Sequence, residues 1–385
     1  MLPKEEEILI RDMARQFAQE RLKPFAADWD REHRFPAEAI AEMGQLGFMG
    51  MLVPQQWGGA ETGHLAYAMA LEEVAAGDGA CSTIMSVHNS VGCMPILKYG
   101  SEEQKQRFLR PLAEGSMLGA FALTEPQAGS DASDLRTRAR RDGEHYVLSG
   151  AKQFITSGSH AGMVIVFAVT DPQAGKKGIS AFIVPTDTPG FSVVRVEDKL
   201  GQHASDTCQL QLDEVRIPAS LRLGEEGEGY RIALGNLEGG RIGIAAQAVG
   251  MARAAFEAAR DYARERETFG KPISTNQAIQ WMIADMYLDW QQTRSLSLDV
   301  ARAIDTPGPW WNLPRPSDEV RRICALKLSN DESFYRVADR ALQIHGGSGV
   351  LRDTDINKLF QIARNLRIPG GTDEVQRTTI AETLG

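Results

Sequence analysis

The sequence predicts an α+β chain in three regions: a helical N-terminal domain over 1–117, a central antiparallel β domain over 118–220, and a helical bundle over 221–385. Apolar residues recur at helical spacing in the first and last regions, whereas in the middle they alternate with a period of two. Glycine and proline breaks fall at the changeovers. With 385 residues the chain exceeds one ordinary core and has room to bury a cofactor.

In the first region Leu9, Met13 and Phe17 fall on one helical face, and Gly44, Gly47 and Gly58-Gly59 separate further helices. Leu65 to Ala76 is an apolar-rich helix, and Ser101 caps the acidic turn Glu102-Glu103. In the middle region Val164 to Val169 and Ala181 to Val184 are strand-like runs. Cys208, Leu210 and Leu212 alternate with Thr207, Gln209 and Gln211, and Asp142-Gly143 supplies a hairpin turn. In the last region an alanine-rich helix spans Gly243 to Phe269 and ends at Gly270. The next carries Ile279, Ile283, Met286 and Trp290; a proline-rich loop from Thr306 to Pro316 holds Trp310-Trp311 as packing anchors. Ser317 restarts a helix that stops at Gly346-Gly347.

A hydrophobic fraction of 43% and a charged fraction of 24% are those of a soluble globular protein. No stretch approaches the ~20 apolar residues of a membrane span. The start, M-L-P-K-E-E-E, has neither the order of a secretion signal nor an Arg-rich transit sequence, so a cytoplasmic location is expected. The net charge of -9 with scattered basic residues argues against a nucleic-acid surface. Cys81, Cys93, Cys208 and Cys324 form no C-x-x-C pair and read as buried thiols, with no metal site implied.

Chemistry concentrates in four segments. Ala122 to Pro126, followed by Gly129-Ser130-Asp131, offers the Thr124 and Ser130 hydroxyls and backbone donors at the Gly129 bend, which suit an acceptor-rich heterocycle or a phosphate; an ordinary Gly/Ser turn is the alternative. Lys152 to Ser157 adds an aromatic face and more hydroxyls. Arg264 to Gly270 reads R-E-R-E-T-F-G, and Gln343 to Gly349 ends a long helix. Finally, Ile368 to Gln376 is a paired-glycine turn in which Gly370 and Gly371 allow close approach of a ligand, and Thr372 caps the helix begun by Asp373 and Glu374. For His88 and His345 a packed, hydrogen-bonded role is preferred over catalysis, and Glu72, Glu73 and Asp339 read as solvated or ion-paired.

Together these segments make the sequence resemble the acyl-CoA dehydrogenase family, flavin-dependent enzymes that desaturate acyl-CoA thioesters. The motifs M-S-V-H-N-S, L-T-E-P…G-S-D, K-x-F-I-T, K-G-I-S-A-F-I-V, D-K-L-G, G-R-I-G-I-A-A-Q-A-V-G, R-x-x-F-G, Q-I-H-G-G and G-T-D-E-V-Q occur in the family's order over essentially the whole chain. The resemblance implies a C-terminal four-helix bundle and FAD as cofactor. It implies that Phe121, Leu123, Thr124, Gly129 and Ser130 line the flavin ring, with Ser130 also near substrate. Phe154, in place of the more usual Trp, would cover the isoalloxazine with Ile155 and Thr156. Arg266, Phe269 and Gln277 would hold the pyrophosphate and adenosine side, with Phe269 as a plain core aromatic the alternative. Gln343, Gly346 and Gly347 would reach the FAD of a neighbouring subunit, a site that Thr372 and Glu374 finish. Arg241 and Gly371 would lie at the substrate. A homotetramer built as a dimer of dimers is implied, with electron-transferring flavoprotein as oxidant and no membrane or nucleic-acid partner.

One element of the pattern is absent. The family's base is a Glu just before the final G-T; here that residue is Gly370. The alternative Glu position, before the Arg of G-R-I-G, is Gly240. Gly370 keeps its N–H, which in the family helps bind the thioester carbonyl, so polarisation of a thioester is retained without a base. Glu238 is the nearest acidic candidate, although positions two apart on a helix diverge. Three readings follow: desaturation of a short or branched acyl-CoA with a relocated base, non-oxidative chemistry such as desulfination of a sulfinoacyl-CoA, or a catalytically silent FAD- and CoA-ester-binding protein. The family's desulfinases carry an Arg in the early stretch Ser82 to Met85, where this chain has none. M-S-V-H-N-S and G-R-I-G-I-A resemble short-chain members.

Overall fold

Helical periodicity in the first region becomes a layer of short helices around one central helix. The computed structural model describes residues 3–305 and 317–384. Its N-terminal helices are α1 (Glu5–Phe17), α2 (Ala26–Arg31), α3 (Ala37–Gln45), α4 (Gly63–Gly77), α5 (Gly79–Val87), α6 (Met94–Tyr99), α7 (Glu102–Gln104) and α8 (Arg110–Ala113). Ser101 closes a capping box with Gln104, as its position predicts. α4 is buried from His64 to Ala75 because α1, α5, α9 and α10 all pack around it. On α1 the buried residues are Ala14 and Phe17, while Leu9 and Met13 stay exposed. Two neighbouring stripes satisfy helical spacing there, and contact with α4 selects between them.

The middle region forms a sheet in the order β6-β7-β3-β2-β4-β5-β8, with β1 also beside β4. Its strands are β1 (Gly119–Ala122), β2 (Arg138–Asp142), β3 (His145–Thr156), β4 (Met163–Val169), β5 (Ile179–Pro185), β6 (Phe191–Val196), β7 (Thr207–Pro218) and β8 (Arg222–Leu223). Asp142 pairs with His145 across the expected turn, where Gly143 takes a φ of 59°. Cys208, Leu210 and Leu212 point inward as their alternation predicts. The pairing is antiparallel except that β1 and β2 run parallel to β4, which corrects a wholly antiparallel reading. Alternation records which side chains are buried, not the direction of the neighbouring strand.

The last region contains α9 (Gly229–Glu265), a hairpin of β9 (Glu267–Thr268) and β10 (Lys271–Pro272), then α10 (Gln277–Ile304), α11 (Asp318–His345), α12 (Asp355–Leu366) and α13 (Asp373–Leu384). α11 packs against α9, α10, α12 and α13. Ser317 caps α11 by accepting from Val320 N at 3.2 Å. α9 begins well before Gly243, and Gly270 does not cap it: Phe269 (φ 53°) and Gly270 (φ 76°) are the two left-handed residues of the β9–β10 turn. The Thr306–Pro316 loop with Trp310-Trp311 lies outside the described residues. All four cysteines are buried free thiols, and no described helix is long and apolar enough to cross a membrane.

The α4–α9 contact depends on Gly250, where a Cβ would stand 2.1 Å from the Glu72 carbonyl oxygen. Gly250→Ala is expected to cost about 1–3 kcal/mol by pushing the helices apart. A shifted urea midpoint at unchanged slope checks this; an unchanged midpoint contradicts it.

Candidate active site

The 368–376 turn takes its shape from two successive glycines, with φ of 69° at Gly370 and 94° at Gly371. Its carbonyls are clamped. Arg241 Nε donates to Gly370 O at 2.9 Å, and Gln376 Nε2 donates to Gly371 O at 2.9 Å. Arg367 Nε reaches Asp373 Oδ2 at 2.6 Å while Asp373 N donates to Arg367 O at 3.2 Å, closing the loop. Thr372 Oγ1 caps α13 by accepting from Val375 N at 3.3 Å. Glu374, hydrogen-bonded at the start of this helix, is held below its ordinary range. Among the described residues nothing accepts from the Gly370 or Gly371 N–H, so the turn presents two backbone donors on a fixed frame.

Neither of the two candidate base positions, Gly370 and Gly240, carries a carboxylate. At Gly370 a Cβ would stand 2.6 Å from Ile244 Cδ1, so an isoleucine occupies the space where a side chain would leave the turn. At Gly240 the nearest atoms to a Cβ are Ser90 Oγ at 3.5 Å and Val91 Cγ1 at 3.8 Å, which are ordinary contacts. Glu238 is buried but lies about 160° round α9 from Gly240 on ideal helix geometry. Its charge acts on Lys98, whose ammonium burial pulls down to about 7 against the upward pull of Glu238. Glu238 is therefore buried within electrostatic reach of Lys98 on α6.

Behind the turn lies a charged cluster that sequence inspection missed. Lys327, Asp331 and Asp373 are buried, with Lys327 Nζ 2.7 Å from Asp331 Oδ2 and 3.6 Å from Asp373 Oδ1. The i,i+4 spacing of Lys327 and Asp331 is visible in the sequence, but it reads as a surface pair.

The flavin-type segments converge from two strands. Gln153 N donates to Thr124 O at 2.9 Å, joining the residues after β1 to β3. Lys152 Nζ and Glu125 Oε1 form a buried ion pair at 2.8 Å beneath them, and Lys152 also donates to Leu123 O at 3.1 Å. Burial would raise the Glu125 carboxyl, but Lys152 and the Thr137 and Arg136 N–H groups hold it at about 2. Above this pair β3 shifts register between Lys152 and Ile155, so Phe154 adopts a φ of 59° with its ring 59% exposed. An exposed aromatic on a strained bulge beside Thr124 is an arrangement that stacks on a planar ligand. Ile155 and Leu123 are buried, Phe121, Thr124 and Thr156 half-buried, and Gly129 and Ser130 exposed. The exposed ring and donors fit a flavin.

Glu125→Gln is expected to destabilise the protein at neutral pH by leaving Lys152 without its counter-charge. The carboxyl's folded value lies below its unfolded one, so its contribution is present above pH ~4.5 and is lost as pH falls toward 2. Acid titration of the variant should lack that component; identical acid curves contradict the assignment.

Arg266, Phe269, Gln277, Gln343, Gly346 and Gly347 form a separate group at the far end of the bundle, where Tyr262 stacks on His345 at 4.3 Å. The stretch of α9 from Arg241 to Arg266 spans about 38 Å, so these residues do not join the glycine turn within one chain. Phe269 is fully exposed, which excludes a core role within the chain. His88 is packed as expected: its Nε2 lies 2.9 Å from Leu112 O, and burial lowers it to about 4. His345 Nδ1 lies 2.7 Å from Ala341 O. Glu72 and Glu73 pair with Arg253, Arg294 and Arg15, and Asp339 is exposed.

Three family models cover the chain: the acyl-CoA dehydrogenase N-terminal domain over residues 4–116, the middle domain over 120–215 and the C-terminal domain over 227–385. The chain is 43% identical to the short-chain specific acyl-CoA dehydrogenase of Bos taurus mitochondria, across 98% of this chain and 89% of that one. Butyryl-CoA dehydrogenase from Megasphaera elsdenii superposes with a TM-score of 0.95 at 36% identity, covering 100% and 99% of the two chains. A glutaryl-CoA dehydrogenase from Mycobacterium smegmatis, solved with FADH2, superposes with a TM-score of 0.92 at 36% identity over 99% and 95%.

Proposed function

The chain belongs to the acyl-CoA dehydrogenase family, and from this we propose that it is an FAD-dependent enzyme desaturating a short or branched acyl-CoA thioester, with its base displaced from the glycine turn. The observation carrying this reading is the pair of unclaimed N–H groups at Gly370 and Gly371 on a turn clamped by Arg241. These donors would polarise the thioester carbonyl and acidify the α-proton. FAD, when bound, would supply the acceptor for the β-hydride. Phe121, Leu123, Thr124, Gly129, Ser130, Phe154, Ile155 and Thr156 would line its ring. Arg266, Phe269, Gln277, Gln343, Gly346 and Gly347, with Thr372 and Glu374, would complete a site shared between subunits of a homotetramer. Electron-transferring flavoprotein is the proposed oxidant, the cytoplasm the proposed location, and 117 and 220 the proposed domain boundaries.

A second reading is non-oxidative chemistry on an acyl-CoA, such as expulsion of sulfite from a sulfinoacyl-CoA. It is favoured by Ile244 filling the space beside Gly370, which suits a site never required to hold a base there. Anaerobic mixing with butyryl-CoA and isobutyryl-CoA separates the two. Bleaching of the flavin absorbance supports desaturation; sulfite release from a sulfinopropionyl thioester without bleaching supports the second. Thioester binding with neither outcome identifies a silent binder and overturns both.

A further inference from the structure

We propose that His33, Asp198 and His203 form a divalent transition-metal site that staples the N-terminal helices to the loop between β6 and β7. His33 is far in sequence from Asp198 and His203, which share one loop, yet the ligand-type atoms of all three lie within 4.8 Å of one another. The His33 and His203 rings stack with centroids 4.4 Å apart. A tetrahedral site with bonds near 2.1 Å needs ligand atoms about 3.4 Å apart and the in-plane lone pair of each ring aimed at the ion, so closure requires rotations that take the His33 ring out of its stack on His203. Exposure of His33 and Asp198 leaves both free to make them.

A supporting carboxylate is already in place. Asp30 accepts from His203 N at 2.9 Å and lies 3.1 Å from His203 Nδ1, which fixes the ring and makes Nε2 the coordinating nitrogen. Nε2 now lies 2.8 Å from Lys199 O, so coordination replaces a hydrogen bond and releases a proton. Around the site stand Asp30, Glu197, Asp198 and Asp206 together with Lys199, Arg195 and Lys358; Arg195 pairs with Glu197 at 2.9 Å, Lys358 acts on Asp30, and the Lys199 ammonium is turned to Ser205 O at 2.7 Å. Beside the triad is a cavity of about 220 Å³ bordered by His33, Phe35, His160, Glu197, His203 and Asp206. Three of the chain's seven histidines border it. Three protein ligands leave a fourth position open to that cavity. Two imidazoles and one carboxylate suit Zn²⁺, Ni²⁺ or Co²⁺ rather than Ca²⁺ or Mg²⁺.

The site stands apart from the glycine turn, but it touches the flavin-type segment indirectly: Gln153 Nε2, next to Phe154, lies 3.4 Å from Glu197 Oε1. A metal here would stiffen the rear of the β3 bulge. The test is calorimetric titration of the chelator-treated, dialysed holoenzyme with ZnCl2, alongside thermal melts with and without zinc. One zinc per chain should bind, and zinc should raise the Tm. His33→Ala and Asp198→Asn should each weaken binding at least tenfold and abolish the Tm shift, while His145→Ala, at the start of β3, retains both. Matching melts of the variants and the parent in chelator verify folding. No binding to the parent protein, or equal affinity in the parent and His33→Ala, overturns the assignment.

Discussion

Gly240→Glu is expected to bring on or strongly raise flavin bleaching by butyryl-CoA, whereas Gly370→Glu is not. A positioned general base is worth about 10²–10⁴ in rate, so the difference is measurable by stopped-flow. At 370 the backbone φ of 69° strains any L side chain, and the new Cβ would meet Ile244 Cδ1 at 2.6 Å. A non-glycine residue in that conformation costs about 1–3 kcal/mol before any carboxylate is aimed. At 240 the backbone is helical and the surroundings accept a Cβ at contact distance. Gly240 lies one turn from Ile244 and next to Arg241, which holds the Gly370 carbonyl, so a carboxylate there emerges beside the turn. Combining Gly370→Glu with Ile244→Ala should recover part of the activity. If Gly240→Glu is inert while single Gly370→Glu bleaches rapidly, steric exclusion at the turn is wrong.

Lys327→Met should cost about 3–5 kcal/mol, the usual result of removing one partner from a buried ion pair. Asp331 and Asp373 would be left buried together, with Arg367 ion-paired to Asp373 and acting on Asp331 only through space. Burial already raises the Asp331 carboxyl to about 7, with Lys327 the main restraint. Its folded value is above its unfolded one, so the folded state binds the extra proton and this group's contribution falls as pH rises from about 4 to 7. The Lys327→Met deficit should therefore be larger at pH 8 than at pH 5. Adding Asp331→Asn, which mimics the protonated group, should recover stability chiefly at pH 8. Urea unfolding at both values checks this, and a pH-independent deficit contradicts it.

Much of the architecture was legible because it is local. Ser101 and Ser317 announce helix starts, Asp142-Gly143 a hairpin, and the inward set Cys208, Leu210 and Leu212 a half-buried strand. Gly270 was misread because a left-handed glycine ends a helix and turns a hairpin equally well; the pairing of Glu267 with Pro272 decides between them. The joining of Glu125 to Lys152 has no local signature, since the two residues sit 27 apart in adjacent motifs.

By itself the sequence determined the family, the order of helical and strand regions, the caps and turns, and the absence of Glu at 370 and 240. Tertiary structure alone decided that Ile244 fills the space beside Gly370, that Glu238 is buried within electrostatic reach of Lys98, and that Lys327 is buried behind the turn. Periodicity and capping are interactions among residues a few positions apart, which the chain specifies directly. The environment of a side chain is set by contacts such as that between Arg241 and Gly370, 129 residues distant, which exist only once the helices have packed.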